Sequence, residues 1–121
     1  MLKRILITED SPTILAIAKE ALESAGYGVL CAVDGQEALD KARKECPDLI
    51  VLDLMLPKLD GYKICRMLKF DEKYKQIPIV LLTARTQEAD IQLGKEVGAD
   101  AYLTKPFEPE ILLAKIKELI K

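Results

Sequence analysis

The sequence has no histidine and no asparagine, and only three cysteines among its 121 residues. Without histidine there is no imidazole acid–base chemistry and no imidazole metal ligand, so any chemistry must run on carboxylates, lysine, serine or threonine. Cys31, Cys46 and Cys65 are odd in number, widely spaced and without a C-x-x-C pair. That argues against a disulfide framework or a zinc site and leaves three small hydrophobes in a reduced compartment. No apolar run approaches the roughly 20 residues of a membrane span. Met1-Leu2-Lys3-Arg4 leads into a strand-like run with no signal-peptide cleavage pattern, so a cytoplasmic location with no membrane partner is expected. A formal net charge of −2 gives no electrostatic reason for this domain to bind nucleic acid. The missing asparagine beside abundant lysine and glutamate matches a bias reported for proteins of hot habitats, and nothing further rests on it.

What is present fits a globular protein. Half the residues are hydrophobic and 31% are charged, and the length suits one domain over 1–121 with a core of its own. The chain is organised around Asp48 to Pro57, where the apolar run that follows Asp48 carries one carboxylate, Asp53, toward its far end. Such a run, bounded by Pro47 and Pro57, reads as a strand buried on both faces of a parallel sheet. Asp53 then sits at the strand's carboxyl edge, where open α/β sheets gather ligands. Taken alone, an Asp ending a strand is more often a turn former or a helix cap.

Along the chain, Ile5-Leu6-Ile7 predicts a short strand ending at Thr8-Glu9-Asp10. Ser11-Pro12 is an N-cap and first-turn pair, and Ile14, Ile17, Ala18, Ala21, Leu22 and Ala25 predict one face of a helix that Gly26 ends. A second strand is read from Tyr27 to Val33. Asp34-Gly35-Gln36-Glu37 resembles a capping box, with Ala38, Leu39, Ala42 and Cys46 continuing at helical spacing to the Pro47 stop. After the central strand, Pro57 and Asp60-Gly61 make a loop and start a shorter helix carrying Ile64 and Leu68. Ile77 to Leu82 is a fourth strand closed by Thr83. Gln87 to Val97 predicts a helix with a poor stripe, Ala99 to Leu103 a fifth strand closed by Thr104-Lys105-Pro106, and Pro109 opens a last helix with Leu112, Leu113, Ile116, Leu119 and Ile120. Strict β/α alternation with wholly apolar strands means a parallel sheet covered on both faces with right-handed crossovers.

If the strands are parallel, their carboxyl ends bring together Glu9, Asp10, Asp53, Thr83 and Lys105. Close carboxylates repel, and a divalent cation relieves the repulsion. Mg²⁺ favours hard oxygen ligands and retained waters, which Asp10, Asp53 and a loop carbonyl can offer. A carboxylate can also attack phosphorus to form an aspartyl phosphate. That reaction needs charge neutralisation more than acid–base catalysis, and Mg²⁺, Lys105 and the Thr83 hydroxyl supply it.

These residues resemble the receiver domain of two-component response regulators. The matching pieces are Glu9-Asp10, Asp53 with Pro57 and Gly61 downstream, Thr83-Ala84, and Gly98 through Phe107. Each is weak alone; as an ordered set over five β/α units they are specific. The resemblance covers the whole chain and is to single-domain, chemotaxis-regulator-like members. It implies a flavodoxin-like doubly wound (βα)5 fold with strand order 2-1-3-4-5, and Asp53 as phosphoacceptor. It implies Mg²⁺, replaceable by Mn²⁺, on Asp10, Asp53 and the Met55 carbonyl, with Glu9 acting through water. Thr83, the Ala84 backbone and Lys105 would contact the phosphoryl group, with a cis bond between Lys105 and Pro106. Thr83 and Tyr102 match the family's switch pair, coupling Asp53 to the surface of the 87–97 helix, the fifth strand and the last helix. The implied donor is a sensor histidine kinase or histidine phosphotransfer protein, and the implied role is signalling rather than enzymatic turnover. With the last helix the sequence stops, so no effector segment is expected.

Several residues depart from the family pattern. The acidic pair is Glu-Asp where Asp-Asp is commonest; Met55 and Arg85 flank the site; Ala101 stands where dimerising receivers usually carry an acid, and Gln92 and Lys95 replace apolar residues of that dimer patch. Other readings are a pseudo-receiver that only binds partners, an aspartate-based phosphohydrolase and a flavin carrier. The second lacks its usual second Asp, since Leu54-Met55 follows Asp53; the third lacks a Ser/Thr/Gly-rich loop after the first strand.

Overall fold

A computed structural model describes residues 2–54, 61–83, 98–105 and 107–120. Its elements are β1 (Arg4–Thr8), α1 (Pro12–Ser24), β2 (Gly28–Ala32), α2 (Gly35–Glu45), β3 (Leu49–Asp53), α3 (Gly61–Lys69), β4 (Ile79–Thr83), β5 (Ala101–Thr104) and α4 (Pro109–Leu119). The strands form one parallel sheet in the order β2-β1-β3-β4-β5. Fold class and strand order are those expected. The predicted helix at 87–97, with Gln92 and Lys95, lies outside the described residues, as do Pro57 and Asp60.

The period-two alternation of the strands divides the core into two layers. Ile5, Ile7, Leu49, Val51, Val80 and Leu82 face α1 and α4 with Ala18, Leu22, Leu112 and Ile116. Leu6, Ile50, Leu52, Ile79 and Leu81 face α2 and α3 with Ala38, Leu39, Ala42, Ile64, Cys65 and Leu68. Every residue of β3 and β4 is buried, which is why these strands read as unbroken apolar runs.

Local signals hold, with shifts. The Ser11 hydroxyl accepts from the Ile14 N–H at 3.4 Å, and Pro12 occupies the first turn. Asp34 caps α2 by accepting from the Glu37 N–H at 2.8 Å, while Glu37 reaches back to the Val33 N–H at 2.7 Å, one residue before the cap. On α1, Leu15 packs into the core whereas Ile17 is 50% exposed, so the core face is rotated from the predicted stripe. Cys46 is also not a core residue. It is exposed and caps α2 in the left-handed region at φ 45, leaving Cys65 as the buried cysteine and Cys31 half-buried.

A side chain in that left-handed conformation is strained, and glycine is not. Cys46→Gly is expected to raise stability by a few tenths to about 1 kcal/mol in urea unfolding; a drop would show that the Cys46 thiol contributes more than its backbone costs.

Candidate functional site

β1, β3, β4 and β5 each end at one edge of the sheet, and their carboxyl ends deliver Glu9, Asp53, Thr83 and Lys105. Asp53 is the last residue of β3 and is 1% exposed. Its backbone N–H donates to the Thr8 hydroxyl at 3.1 Å, and that hydroxyl donates to the Val51 carbonyl at 2.9 Å. Thr8 is therefore a buried brace between the ends of β1 and β3. Its sequence signal is a hydroxyl closing the first apolar run, which by itself marks only a strand end.

Glu9 is as buried as Asp53, and Asp10 is exposed. One carboxylate oxygen from each of Glu9, Asp10 and Asp53 lies within 4.8 Å of the others. Lys105 inserts its ammonium between the two buried acids, hydrogen-bonding to Asp53 Oδ2 and lying 2.7 Å from Glu9 Oε2. The Glu9 contact is ionic rather than directional: buried Oε2 makes no aligned hydrogen bond, while Oε1 accepts from the Ser11 N–H at 3.2 Å. Lys105 is fixed from behind by its own N–H, which donates to the Thr83 carbonyl at 2.7 Å.

The electrostatics follow from this packing. Burial raises the Glu9 pKa, the Lys105 contact lowers it and nearby Asp53 raises it again, leaving it above the ordinary value of 4.5. For Lys105, burial disfavours the ammonium, but the bonds to Asp53 and Glu9 outweigh it and raise the pKa. The site thus holds a firmly protonated amine and a reluctant carboxylate. Hard oxygen donors this close, one of them a buried oxygen without an aligned donor, fit a divalent cation such as Mg²⁺.

Gly61 opens α3 against the end of β3. A Cβ there would lie 2.6 Å from the Asp53 carbonyl oxygen and 2.9 Å from the Leu54 Cα. Only glycine lets the helix start this close to the acid's own peptide.

Thr83 is buried at the end of β4. Leu81 pairs with Tyr102 across β4 and β5, so Thr83, two residues on, shares Tyr102's face of the sheet. Tyr102 is half-buried, packs on the layer beneath α2 and α3, and has its pKa pushed up to about 12 by burial, then by Tyr62 and Cys65. Met55, Ala84, Arg85 and Pro106, all expected at this site, lie outside the described residues.

A 2-1-3-4-5 parallel sheet carrying three carboxylates and a lysine at its carboxyl edge defines a flavodoxin-like domain with an acidic pocket. Comparison with known proteins makes this particular. Residues 5–117 match the response regulator receiver domain, and the chain belongs to that family. It is 47% identical over its whole length to the alkaline phosphatase synthesis transcriptional regulatory protein PhoP of Bacillus subtilis, covering 50% of that protein. It is 48% identical over 118 residues, 98% of the chain, to the DNA-binding dual master transcriptional regulator RpaA of Synechocystis, covering 49% of it. The chain therefore spans about half the length of these curated relatives. Among solved structures, the chemotaxis response regulator CheY4 of Vibrio cholerae superposes with a TM-score of 0.92 at 37% identity, with 98% of this chain and 99% of that one covered. A response regulator from Chloroflexus aurantiacus gives 0.93 at 36%, with 99% and 98% covered.

Two outcomes follow from the packing. Gly61→Ala should lose roughly 1–3 kcal/mol in urea unfolding, because the methyl meets backbone that cannot rotate away; stability within about 0.5 kcal/mol of wild type would refute the close approach. An acid whose pKa is raised by folding costs stability once ionised, above the raised value, and costs nothing below its unfolded value of 4.5. Glu9→Gln is thus expected to melt a few degrees above wild type at pH 7.5 in chelator, the gain fading as pH falls to that value. A variant less stable than wild type at pH 7.5 would contradict the assigned direction.

Proposed function

We propose that this receiver domain takes a phosphoryl group onto Asp53 from a phosphohistidine donor and transmits the change through Thr83 and Tyr102. The observation that carries the reading is the buried Asp53 carboxylate, joined to Lys105 and set among Glu9 and Asp10 at the sheet's carboxyl edge. Asp53 supplies the nucleophilic oxygen. Lys105, held protonated, offsets charge on the acceptor and on the incoming phosphoryl oxygens. The Thr83 hydroxyl, with the Ala84 backbone, donates to those oxygens. Asp10, Asp53 and the Met55 carbonyl would hold Mg²⁺ or Mn²⁺, with Glu9 through water. A bound divalent cation supplies charge neutralisation at the phosphoryl oxygens.

Phosphorylation exchanges a carboxylate for a group with more charge and more acceptors, which draws the Thr83 hydroxyl inward. The Tyr102 ring on the same face then moves into the space Thr83 leaves, shifting a pre-existing equilibrium. The output surface is the 87–97 segment with β5 and α4. The donor is a sensor histidine kinase or a histidine phosphotransfer protein, and the location is cytoplasmic. No described helix is long and apolar enough to cross a membrane. The relatives that are transcriptional regulators suggest that such a domain controls a DNA-binding partner segment, and the net charge of −2 argues against nucleic-acid binding by the domain itself.

Intact mass after incubation with acetyl phosphate tests this directly. One phosphoryl adduct that requires Mg²⁺ and disappears in Asp53→Asn is expected. An unmodified wild type that also fails to bind Mg²⁺ would replace this reading with that of a phosphorylation-independent interaction module.

A further inference from the structure

On the β1 side, Asp53 lies one residue past the last paired position of its strand. Pairing between β3 and β4 includes Asp53, opposite Leu82, whereas pairing between β1 and β3 stops at Thr8 opposite Leu52. The Thr8 side chain carries the contact one residue further: its hydroxyl accepts from the Asp53 N–H at 3.1 Å and donates to the Val51 carbonyl at 2.9 Å. Those two groups belong to the consecutive peptide units on either side of Leu52, so a single hydroxyl holds both planes that lead into the acceptor. Burial alone does not ask for this residue. Thr8 is fully buried at the end of a strand whose other buried residues, Ile5, Leu6 and Ile7, are aliphatic, and a buried hydroxyl must find its partners inside the protein.

We propose that Thr8 is a positioning residue for phosphoryl transfer: its hydroxyl sets the peptide planes before Asp53 and thereby aims the carboxylate at the incoming phosphorus. The proposal rests on Asp53 being the phosphoacceptor. Other restraints act at different points. The Leu54 N–H donates to the Leu82 carbonyl at 3.0 Å, fixing the peptide after Asp53, and Lys105 holds the carboxylate oxygen Oδ2. Thr8 sets the main chain from which the side chain departs. With acetyl phosphate as donor, an Asp53 carboxylate oxygen forms the new P–O bond as the bond from phosphorus to the acetyl oxygen breaks, and the electron pair leaves with acetate. The attacking oxygen must lie roughly in line with the breaking bond. Misplacing it by about 1 Å costs on the order of a hundredfold in rate, and by about half that, about tenfold. A short Asp side chain passes a rotation of its own peptide directly to its oxygens, so the planes that Thr8 holds decide their placement. Thr8 acts through Asp53 and touches no reacting atom.

The test is the rate of phosphorylation by acetyl phosphate, read by intact mass at saturating Mg²⁺ and expressed per folded molecule, in Thr8→Ser and Thr8→Ala. Both variants lack the Thr8 methyl, and they differ only in the hydroxyl. Thr8→Ser should stay within about threefold of wild type, and Thr8→Ala should fall about tenfold below it. Ile5→Val, a truncation at the buried amino end of the same strand, should weaken folding and leave the rate per folded molecule at its wild-type value. If Thr8→Ala does not fold, Thr8→Val, which fills the same space without a hydroxyl, carries the same expectation. A hydroxyl-free variant within about twofold of Thr8→Ser, or an equal loss of rate in Ile5→Val, would overturn the assignment while leaving Asp53 as acceptor. No adduct on wild type would overturn the phosphoacceptor reading, and the positioning role with it.

Discussion

One ammonium between two buried carboxylates is the constraint on which the rest of this structure depends. Glu9 and Asp53 are each 1% exposed, and isolated charges at that depth would be strongly disfavoured. Lys105 makes the arrangement tolerable by contacting both. Removing Lys105 would leave both buried acids uncompensated, and breaking a buried pair in this way typically costs about 3–5 kcal/mol; removing Glu9 leaves Lys105 its contact with Asp53. The three groups come from residues distant in sequence, so the pocket exists only when β1, β3 and β5 are in register.

The architecture enforces that register from several sides. Thr8 ties the Asp53 N–H to β1, the Lys105 N–H is held by the Thr83 carbonyl, and Gly61 lets α3 close directly over the Asp53 peptide. At the opposite edge of the sheet, Asp100 accepts from the Ile79 N–H at 2.8 Å and from Lys69 at 2.9 Å, fixing the entry to β5 against α3 and β4. With both ends of β5 anchored, the position of Lys105 is determined by main chain rather than by its long side chain. This suits a pocket whose task is to hold charge in a set place.

Much of this was legible in the sequence because burial on both faces leaves an unmistakable trace. Leu49-Ile50-Val51-Leu52 and the run from Ile77 to Leu82 read as strands buried on both faces, and the residue types closing each run pointed to the pocket. Helix faces were harder to read. On α1 the choice between Leu15 and Ile17 depends on how the helix sits on the sheet, which a stripe of alternating apolar positions does not specify. Cys46 fitted the spacing of α2 but lies one step beyond its end, where the chain turns left-handed toward Pro47. Nor could spacing reveal that Glu9 reaches Lys105, or that Thr8 braces Asp53; both depend on side-chain reach across the folded edge. Gly61 could be read as part of a pattern, but its cause, the Asp53 carbonyl, appears only in three dimensions.

Formal charge connects the pocket to the proposed switch. Three acids against one lysine leave an excess of two negative charges, the amount a divalent cation neutralises. Exchanging the Asp53 carboxylate for an acyl phosphate dianion makes the pocket more negative by one further charge. In the proposed mechanism that added charge calls for further hydrogen-bond donors. Thr83 closes the strand beside β3 and shares a face with Tyr102, placing a hydroxyl next to that demand. Tyr102, only half-buried and kept neutral by its surroundings, can change its packing without moving a charge through the core. In the proposed switch, an electrostatic imbalance at Asp53 becomes a change of packing because the Thr83 hydroxyl lies on the same sheet face as the Tyr102 ring.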